Sequence, residues 1–325
     1  MRSPFAPWRA FVVALAAFMA APAAAQDNYP NRPLRLIVPF AAGGGVDITG
    51  RMLAEELRKT LGQPVIVENM PGAATMIATR AAVKAAPDGH TLLLADSSMA
   101  VNPLLHKDMD YNWEKDLAPV SLLVKVPNVL TVHHGLPIHN VKELVEYAKA
   151  NPIAFASSGT GNANHLGGEL FNKMAGTKIT HVPYKGVAPQ LADVAAGHVA
   201  MTLASIGASQ SFIKSGKARP IAVSSSHRSS SLPDVPALAE FPEFKGFDVS
   251  NYFGLFAPAG TPPAVLKRVS EIVAKWLANP EVSAKLRGMG FEPAPNTPEQ
   301  FREFVKGESL RYGQIAKEAN VKLDG

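Results

Sequence analysis

The segment that most constrains the fold runs from residue 34 to residue 61 and reads LRLIVPFAAGGGVDITGRMLAEELRKTL. Its short, apolar and β-rich beginning is typical of a buried strand, which we predict over Leu34–Phe40. From Ile48 to Leu61, apolar residues recur at close to helical spacing, which predicts a helix with Asp47 as its N-cap. The glycines between them predict a turn, so the segment forms a strand, a turn and a helix.

This predicted turn is also the first candidate binding site. Three consecutive glycines let a ligand approach the backbone closely, and the helix N-terminus behind them offers unpaired N–H groups to an anion. A phosphate loop is disfavoured, because Arg51 and Met52 follow Gly50 where lysine and serine or threonine are required. One glycine would suffice for an ordinary strand-to-helix connection. We therefore predict that a carboxylate contacts the turn residues Ala42, Gly43, Gly44, Gly45, Val46 and Asp47.

The first 25 residues have the pattern of a secretory signal. Arg2 and Arg9 flank an apolar run that ends in Ala23-Ala24-Ala25, which predicts cleavage after Ala25. The run is too short for a transmembrane helix. The chain has no cysteine, which excludes disulfides, a thiol nucleophile and thiolate zinc sites. We therefore expect an exported, periplasmic protein, with residues 1–25 as its signal peptide.

Composition narrows the class of function further. The chain has 325 residues, 47% of them hydrophobic, which is enough for two domains with real cores. The formal net charge is +5, but no cluster of lysines and arginines is interleaved with aromatic residues. We therefore expect no nucleic acid partner, and a small anionic ligand suits the mild positive charge better.

Strands and helices alternate along the first third of the chain. We predict strands over Pro64–Glu68 and Thr91–Ala95, with a helix over Ala73–Ala85 between them. The order β-α-β-α-β implies a parallel sheet covered by helices. Ligands of such open sheets bind beyond the carboxyl ends of the strands. We therefore expect the polar residues after the third strand to line a cleft, namely Ser97, Ser98 and Asn102.

The middle of the chain repeats this pattern and predicts a second domain. Apolar runs over 119–124 and 128–132 are broken by Lys125-Val126-Pro127, where we place the crossover into that domain. The chain returns near Val249. The predicted domains are residues 26–126 plus 250–325 and residues 127–249, and the two crossovers between them predict a hinge.

A second turn, SSGTG over residues 157–161, follows a predicted strand and opens a helix. Its glycines imitate a dinucleotide fingerprint, but Asn164 stands at the third glycine position and no acidic residue follows at the required distance. The alternatives are ordinary turn and N-cap chemistry for this segment, a structural role for His165 and a surface role for Lys185. We predict ligand contacts from Ser157, Ser158, Gly159, Thr160, His165, Tyr184, Lys185 and Ser205.

The chain lacks the motifs of common enzymes. It contains no G-x-S-x-G elbow and no H-E-x-x-H, and its nine histidines lack metal-ligand spacing. We therefore predict binding rather than turnover, with no cofactor and no metal. A secreted α/β hydrolase or a dinucleotide-dependent enzyme remains the alternative, and it would need a nucleophile with its base or a complete fingerprint.

Seven motifs together resemble one family: YPNRPLRLIVPFAAGGGVDITGRMLAEEL at 29–57, QPVIVEN at 63–69, APDGHTLL at 86–93, SSG at 157–159, HVPYKG at 181–186, LPDVP at 232–236 and FAPAGTP at 256–262. The chain resembles the Bug-type receptors, which are the extracytoplasmic solute-binding proteins of tripartite tricarboxylate transporters. The resemblance covers essentially all of the predicted mature chain.

The resemblance implies a type II periplasmic-binding-protein fold, an α/β fold of two domains joined by a hinge with two crossovers. It implies a small carboxylate ligand, held by backbone groups, hydroxyls and ordered waters, and a monomeric receptor that delivers it to membrane permease subunits. The family's binding loops fall here on residues 41–47, 157–160 and 184–186. A sensory role, in which the liganded receptor docks on a signalling protein, is the alternative.

Three positions depart from the family pattern. Val46 stands where threonine is usual, Met70 where arginine precedes Pro-Gly, and Ala204-Ser205 where many members have Asp-Asn. Fewer polar groups predict a less polar ligand, such as an aromatic acid or a monocarboxylate. Tighter binding of citrate or malate than of aromatic acids would contradict this expectation.

Overall fold

The computed structural model of the chain describes residues 29–106 and 109–318. The predicted signal peptide, residues 1–25, lies outside these residues. Ten described strands form one mixed sheet with the spatial order β2-β1-β3-β9-β4-β7-β5-β6, and β8 and β10 also pair with β4. Their bounds are β1 Leu34–Val38, β2 Val65–Asn69, β3 Thr91–Asp96, β4 Leu117–His133, β5 Ala154–Ser157, β6 Thr180–Pro183, β7 Met201–Ser205, β8 Ala218–Val223, β9 Ser250–Pro258 and β10 Glu292–Pro293.

Helices cover both faces of this sheet. Their bounds are α1 Gly45–Leu61, α2 Met76–Val83, α3 Ser98–Leu105, α4 Trp113–Asp116, α5 Val141–Ala150, α6 Ala163–Ala175, α7 Val187–Ala196, α8 Ile206–Lys214, α9 Pro263–Ala278, α10 Pro280–Gly288 and α11 Pro298–Glu318. Within the described part of the chain, none of them combines the length and the apolar character that a membrane crossing requires. The sequence correctly predicted most of these helices but gave no prediction for α3, α4 or α8.

The alternation of side chains along β1 shows how the helices are held. Leu36 and Val38 belong to one core cluster and Ile37 to the other, because successive side chains of a strand point to opposite faces. Leu53 and Leu57 of α1 pack into the same cluster as Leu36. Of the apolar positions predicted for this helix, Leu57 and Leu61 are buried in that cluster and Met52 is partly buried against it, whereas Ile48 is 37% exposed.

The long strand β4 corrects one prediction. The sequence predicted two runs separated by Lys125-Val126-Pro127, but the backbone stays extended from Leu117 to His133. At this point β4 exchanges partners, since Pro127 pairs with Ser250 of β9 and Asn128 pairs with Ser205 of β7. The apolar pattern breaks there because the environment of the strand changes, while the strand itself continues.

The directions of the strands bring two sets of strand ends to face each other. The strands β1, β2 and β3 are parallel, and they run in the same direction as β4, because β9 is antiparallel to both β3 and β4. The strands β5, β6 and β7 are parallel to one another and antiparallel to β4. The carboxyl ends of the first strand group (β1, β2 and β3) therefore point toward those of the second strand group (β5, β6 and β7).

Candidate functional site

The strands β4 and β9, here called the hinge-like strands, pair with both strand groups or run between them. Their register gives the distance between the two groups. Asp96 at the end of β3 is level with Phe253 of β9, which is level with Val124 of β4. Ser205 at the end of β7 is level with Asn128 of β4. Four residues of extended chain span about 13 Å, so the loops that follow the two strand groups border one cleft.

The glycine loop, residues 41–47, follows β1 into this cleft. Residues 41–44 are exposed, and Gly43 has a φ of +89°, which favours glycine. Helix α1 begins at Gly45 with Gly44 as its N-cap and has no side-chain cap. The first helical bond joins the Ile48 N–H to the Gly44 carbonyl at 2.9 Å. The N–H groups of residues 44–47 therefore have no acceptor within the helix.

Asp47 has a different role from the predicted N-cap. It is the third residue of α1, in the first turn, and is 2% exposed. Its carboxylate accepts hydrogen bonds from Gly43 N, Asn69 Nδ2 and Arg51 Nε at 2.9 to 3.0 Å. Burial by itself raises the pKa of Asp47, but the bonds from Arg51, Gly43 and Asn69 outweigh it and lower the pKa to about 2. The ionised carboxylate thus fixes the glycine loop from behind.

Two of the departures from the family pattern lie in the core. Val46 is 7% exposed and packs in the cluster beneath α1, and Ala204 is fully buried. The Val46 side chain is therefore packed in the core, whereas residues 41–44 are exposed. The side chains of Val46 and Ala204 therefore give no support to the expectation of an aromatic acid or a monocarboxylate, whereas Met70 and Ser205 are half-buried near the loops.

A strained turn borders the first strand group and corrects another prediction. In place of one helix over Ala73–Ala85, residues Ala73, Ala74 and Thr75 have φ values of 46°, 49° and 75°, and α2 begins only at Met76. Left-handed backbone in three successive residues other than glycine is costly and occurs mainly at functional sites. Alanine carries no sequence signal for this conformation, which is why the turn was missed.

The polar residues after β3 hold this turn in place. The Asn102 side chain donates to the Ala74 carbonyl at 2.7 Å, and the Thr75 and Ser98 hydroxyls lie 2.7 Å apart. Ser98 donates to Asp96 through both its hydroxyl and its N–H. Because Ser98 has one hydroxyl proton, Thr75 is the donor between the two hydroxyls. Ser98 and Asn102 are thus committed to protein partners.

Asp96 joins this network to the hinge-like strands. Asn251 of β9 donates to its carboxylate at 3.5 Å and accepts the Ser97 N–H at 3.0 Å. Ser97 itself is buried. Burial raises the pKa of Asp96, and the bonds from Ser98 and Asn251 act in the opposite direction. Sequence reasoning missed both Asp96 and Asn251, although an aspartate at the end of a buried strand was a visible signal.

The serine loop, residues 157–162, follows β5 on the opposite side of the cleft. Ser157 is fully buried, and its hydroxyl donates to the Gly159 carbonyl at 2.8 Å. His181 Nε2 lies 2.6 Å from the same oxygen. Since the Ser157 proton is already used, His181 is the donor in this pair. The arrangement therefore lacks the base that would activate a serine nucleophile.

His165 supports the serine loop from inside. Its Nδ1 accepts the Gly161 N–H at 2.9 Å, and its ring stacks on that of His181 with centroids 3.7 Å apart. Burial lowers the pKa of His181 to about 4, and burial together with the neighbouring His181 lowers the pKa of His165 to about 4. Both rings are therefore neutral near pH 7, and the geometry of His165 agrees with its structural alternative.

Ser158 and Thr160 carry the hydroxyls of this loop that lie nearer the cleft. Ser158 is half-buried and accepts hydrogen bonds from the side chains of Asn162 and Asn164, while Thr160 is exposed. Asn162 is also the N-cap of α6, where its Oδ1 accepts the His165 N–H. Gly159 has a φ of +144°. The asparagines were not among the predicted site residues.

The remaining predicted residues lie at the ends of β6 and β7. Tyr184 donates its hydroxyl to Asp193 of α7 at 2.7 Å, and burial together with Asp193 raises its pKa to about 12. Lys185 is exposed just before α7, which has no side-chain cap. Ser205 is half-buried at the start of α8, which is also uncapped. Tyr184 is thus anchored to α7, the helix that follows it, whereas the side chains of Lys185 and Ser205 remain available for other hydrogen bonds.

A separate cavity lies away from the two loops. It has a volume of about 510 Å³ and is lined by His133, Ile153, Thr180 and His198, at the amino ends of β5 and β6. This is the edge opposite to the serine loop, and ligands of open α/β sheets bind at the carboxyl edge. Within residues 29–106 and 109–318, no three metal-ligating side chains are grouped together.

Comparison with known proteins assigns the chain to a family. The model of the tripartite tricarboxylate transporter family receptor matches residues 49–321. The chain belongs to this receptor family. The curated relative "Protein BugT" of Bordetella pertussis is 38% identical over 311 residues, which is 94% of this receptor and 94% of BugT.

Solved structures agree with this assignment. "R. palustris Rpa4515 with adipate" is 34% identical with a TM-score of 0.82 and covers 90% of this receptor and 99% of that chain. MatC from Rhodopseudomonas palustris with bound malate is 30% identical with a TM-score of 0.74 and covers 88% of this receptor and 99% of MatC. The mixed α/β fold of the receptor is therefore that of solute-binding proteins, as the sequence predicted.

Proposed function

We propose that this receptor is a periplasmic solute-binding protein that captures a small organic carboxylate between two domains and delivers it to a transporter permease. The observation that carries the proposal is the uncapped start of α1 behind three glycines, where the N–H groups of residues 44–47 have no acceptor within the helix. Such a helix start stabilises an anion through its N–H groups and its dipole. The bound adipate and malate of two related structures support a carboxylate ligand.

The proposed domains are residues 26–126 plus 250–325 and residues 127–249. The partner exchange of β4 at Pro127 and Asn128, and the start of β9 at Ser250, support these boundaries. Bending of β4 and β9 at this level would bring the glycine loop and the serine loop together around the ligand. We propose that the receptor is a monomer in this cycle.

The proposed ligand contacts come from both sides of the cleft. The glycine loop would bind one carboxylate through backbone N–H groups, and the serine loop would bind through the Ser158 hydroxyl and the N–H groups beside it. Lys185 and Ser205 would line the remainder, together with the strained turn at Ala73 and Ala74. Asp47, Ser98, Asn102, His165 and Tyr184 would position these groups, since their polar atoms are already bonded.

We also propose that the protein has no enzymatic activity. The support is the hydrogen-bond direction at Ser157, where His181 donates a proton instead of accepting one. Unchanged concentrations of each carboxylate after prolonged incubation are expected. Formation of a product from any of them would contradict this part of the proposal.

Thermal unfolding against a panel of carboxylates tests the binding function. The panel contains adipate, succinate, malate, citrate, glutamate and benzoate. A ligand at about 100 times its Kd stabilises the folded state by roughly 2.7 kcal/mol, and we expect this for one class of acid. Denatured protein is assayed in parallel for a ligand that was co-purified. Absence of any shift, with no ligand released on denaturation, would contradict the proposal.

A further inference from the structure

The hydroxyl of Ser158 has an unusual surrounding in the serine loop. Its oxygen accepts a hydrogen bond from Asn162 Nδ2 at 2.9 Å and another from Asn164 Nδ2 at 3.3 Å. A serine hydroxyl has two acceptor lone pairs and one proton to donate. Within the described part of the chain, these two bonds are the hydrogen bonds of the Ser158 side chain. Both lone pairs are therefore occupied by protein, and only the proton remains.

The direction of the Asn162 bond is fixed by the start of α6. The Oδ1 atom of Asn162 accepts the His165 N–H at 2.9 Å and so serves as the N-cap of that helix. The amide nitrogen then faces Ser158, and an amide nitrogen only donates. Rotating the amide would break the cap, which is worth about 1 kcal/mol. Because the same amide caps α6, the direction of the hydrogen bond between Asn162 and Ser158 is coupled to the N-cap of that helix.

We infer that Asn162 acts through Ser158 as a specificity-determining positioning residue, which makes the serine loop select a hydrogen-bond acceptor on the ligand. A carboxylate oxygen satisfies the Ser158 proton. An ammonium group at the same place offers only donors and leaves that proton unpaired. This inference rests on the proposed function, because it assigns the ligand group that faces one side of the same cleft.

The consequence is a preference for acids over amines of matched shape. A site built to hydrogen-bond a ligand group strongly rejects an analogue that cannot form the bond, because the buried partner is left unsatisfied. The preference should collapse when the amide donor beside Ser158 becomes an acceptor. Ser158 would then donate to the new acceptor and turn a lone pair toward the ligand.

Asn162→Asp makes this change with the least disturbance. Aspartate is as good an N-cap as asparagine, so α6 should retain its start, while the donor that faces Ser158 is replaced by an acceptor. Asn162→Ser is the neutral counterpart, because it keeps a capping oxygen, loses the amide donor and adds no charge. Asn140→Asp is the matched control, since Asn140 caps α5 in the same way and lies outside the serine loop.

The experiment measures Kd by calorimetry for three acids and their amines, which are adipate and 6-aminohexanoate, succinate and 4-aminobutanoate, and benzoate and benzylamine. For the acid that binds, the ratio of amine Kd to acid Kd should fall at least tenfold in Asn162→Asp. It should fall by a smaller factor in Asn162→Ser and stay unchanged in Asn140→Asp. A shift in the neutral Asn162→Ser cannot arise from added charge.

The outcomes separate the inference from the proposed function. A wild-type protein that binds none of the three acids, nor any member of the wider carboxylate panel, contradicts both. The inference alone is contradicted if the wild-type protein binds an acid but the ratio of amine Kd to acid Kd stays unchanged in Asn162→Ser. The ratio would then also change equally in Asn162→Asp and Asn140→Asp. Equal loss of acid and amine affinity in both Asn162 variants also contradicts it, because a merely structural role weakens both ligands together.

Discussion

The glycine loop and the serine loop occupy matching places after β1 and β5, but they are built in opposite ways. The glycine loop leaves its helix uncapped and is held by the side chains of Asp47, at its own end, and of Asn69 from β2. The serine loop caps its helix with Asn162 and donates the Gly161 N–H to the ring of His165. Under the proposed function, the first loop would offer backbone donors to a ligand, whereas the second would offer a directed hydroxyl.

The largest expected effect is a difference in stability between variants of the two residues that hold the loops, Asp47 and Asn162. Asp47→Ala removes an ionised, buried carboxylate together with the hydrogen bonds that it accepts from Gly43, Asn69 and Arg51, so it should lower the free energy of unfolding by about 2–3 kcal/mol. Asn162→Ala removes a neutral cap and should cost about 1 kcal/mol. Urea unfolding of both variants measures the difference. A smaller loss for Asp47→Ala than for Asn162→Ala would reverse our account of the two supports.

The second prediction tests whether the glycine loop binds through its backbone. Gly44→Pro removes one N–H at a position whose φ of −79° suits proline, and it should raise the Kd for the bound carboxylate about tenfold. Gly44→Ala is the matched control, because its Cβ meets only the Ala41 carbonyl oxygen at 3.9 Å and the N–H remains. Equal affinities of the two variants would show that this N–H does not contact the ligand.

The third prediction concerns the histidine pair behind the serine loop. The pKa values of His165 and His181 are lowered to about 4, from 6.5 in the unfolded chain. The unfolded state therefore binds more protons between about pH 4 and 6.5, so the free energy of unfolding is highest above this range and falls as the pH is lowered through it. Glu169, 3.8 Å from His165 Nε2, offsets part of the loss once His165 is protonated.

His181→Gln keeps a donor near Ser157 and removes one titrating ring, so its stability should fall less steeply between pH 6.5 and pH 4. His139→Gln changes an exposed histidine and should leave the slope as in the wild type. Thermal unfolding across this pH range gives the comparison. A wild-type slope in His181→Gln would mean that the stacked pair does not couple the serine loop to pH.

The smallest expected effect compares two hydroxyls of the serine loop. Thr160 is exposed, so Thr160→Ala should change the free energy of unfolding by no more than about 0.5 kcal/mol. Its loss of carboxylate affinity should be smaller than that of Ser158→Ala, because the Ser158 proton is directed by two asparagines. Calorimetric titration of both variants measures the two losses of affinity. A larger loss for Thr160→Ala would indicate that Thr160, rather than Ser158, contacts the carboxylate.

Secondary structure was predicted best where the determinants are local. The helix over Val141–Ala150 was predicted with its observed bounds, because its apolar spacing and its preceding asparagine lie within one segment. The prediction failed at Ala73–Thr75, where a left-handed backbone is held by Ser98 and Asn102 from another element. Local propensity carries no trace of a conformation that distant side chains impose.

The sequence by itself determined the alternation of strands and helices, the two glycine-containing turns and the family to which the receptor belongs, because these depend on periodicity, turn chemistry and motif order. The tertiary structure alone decided that Val46 points into the core, that Asp47 anchors the glycine loop and that Asn162 and Asn164 direct the Ser158 proton. Hydrogen-bond direction depends on which atoms meet in space, and such meetings follow from packing rather than from spacing along the chain.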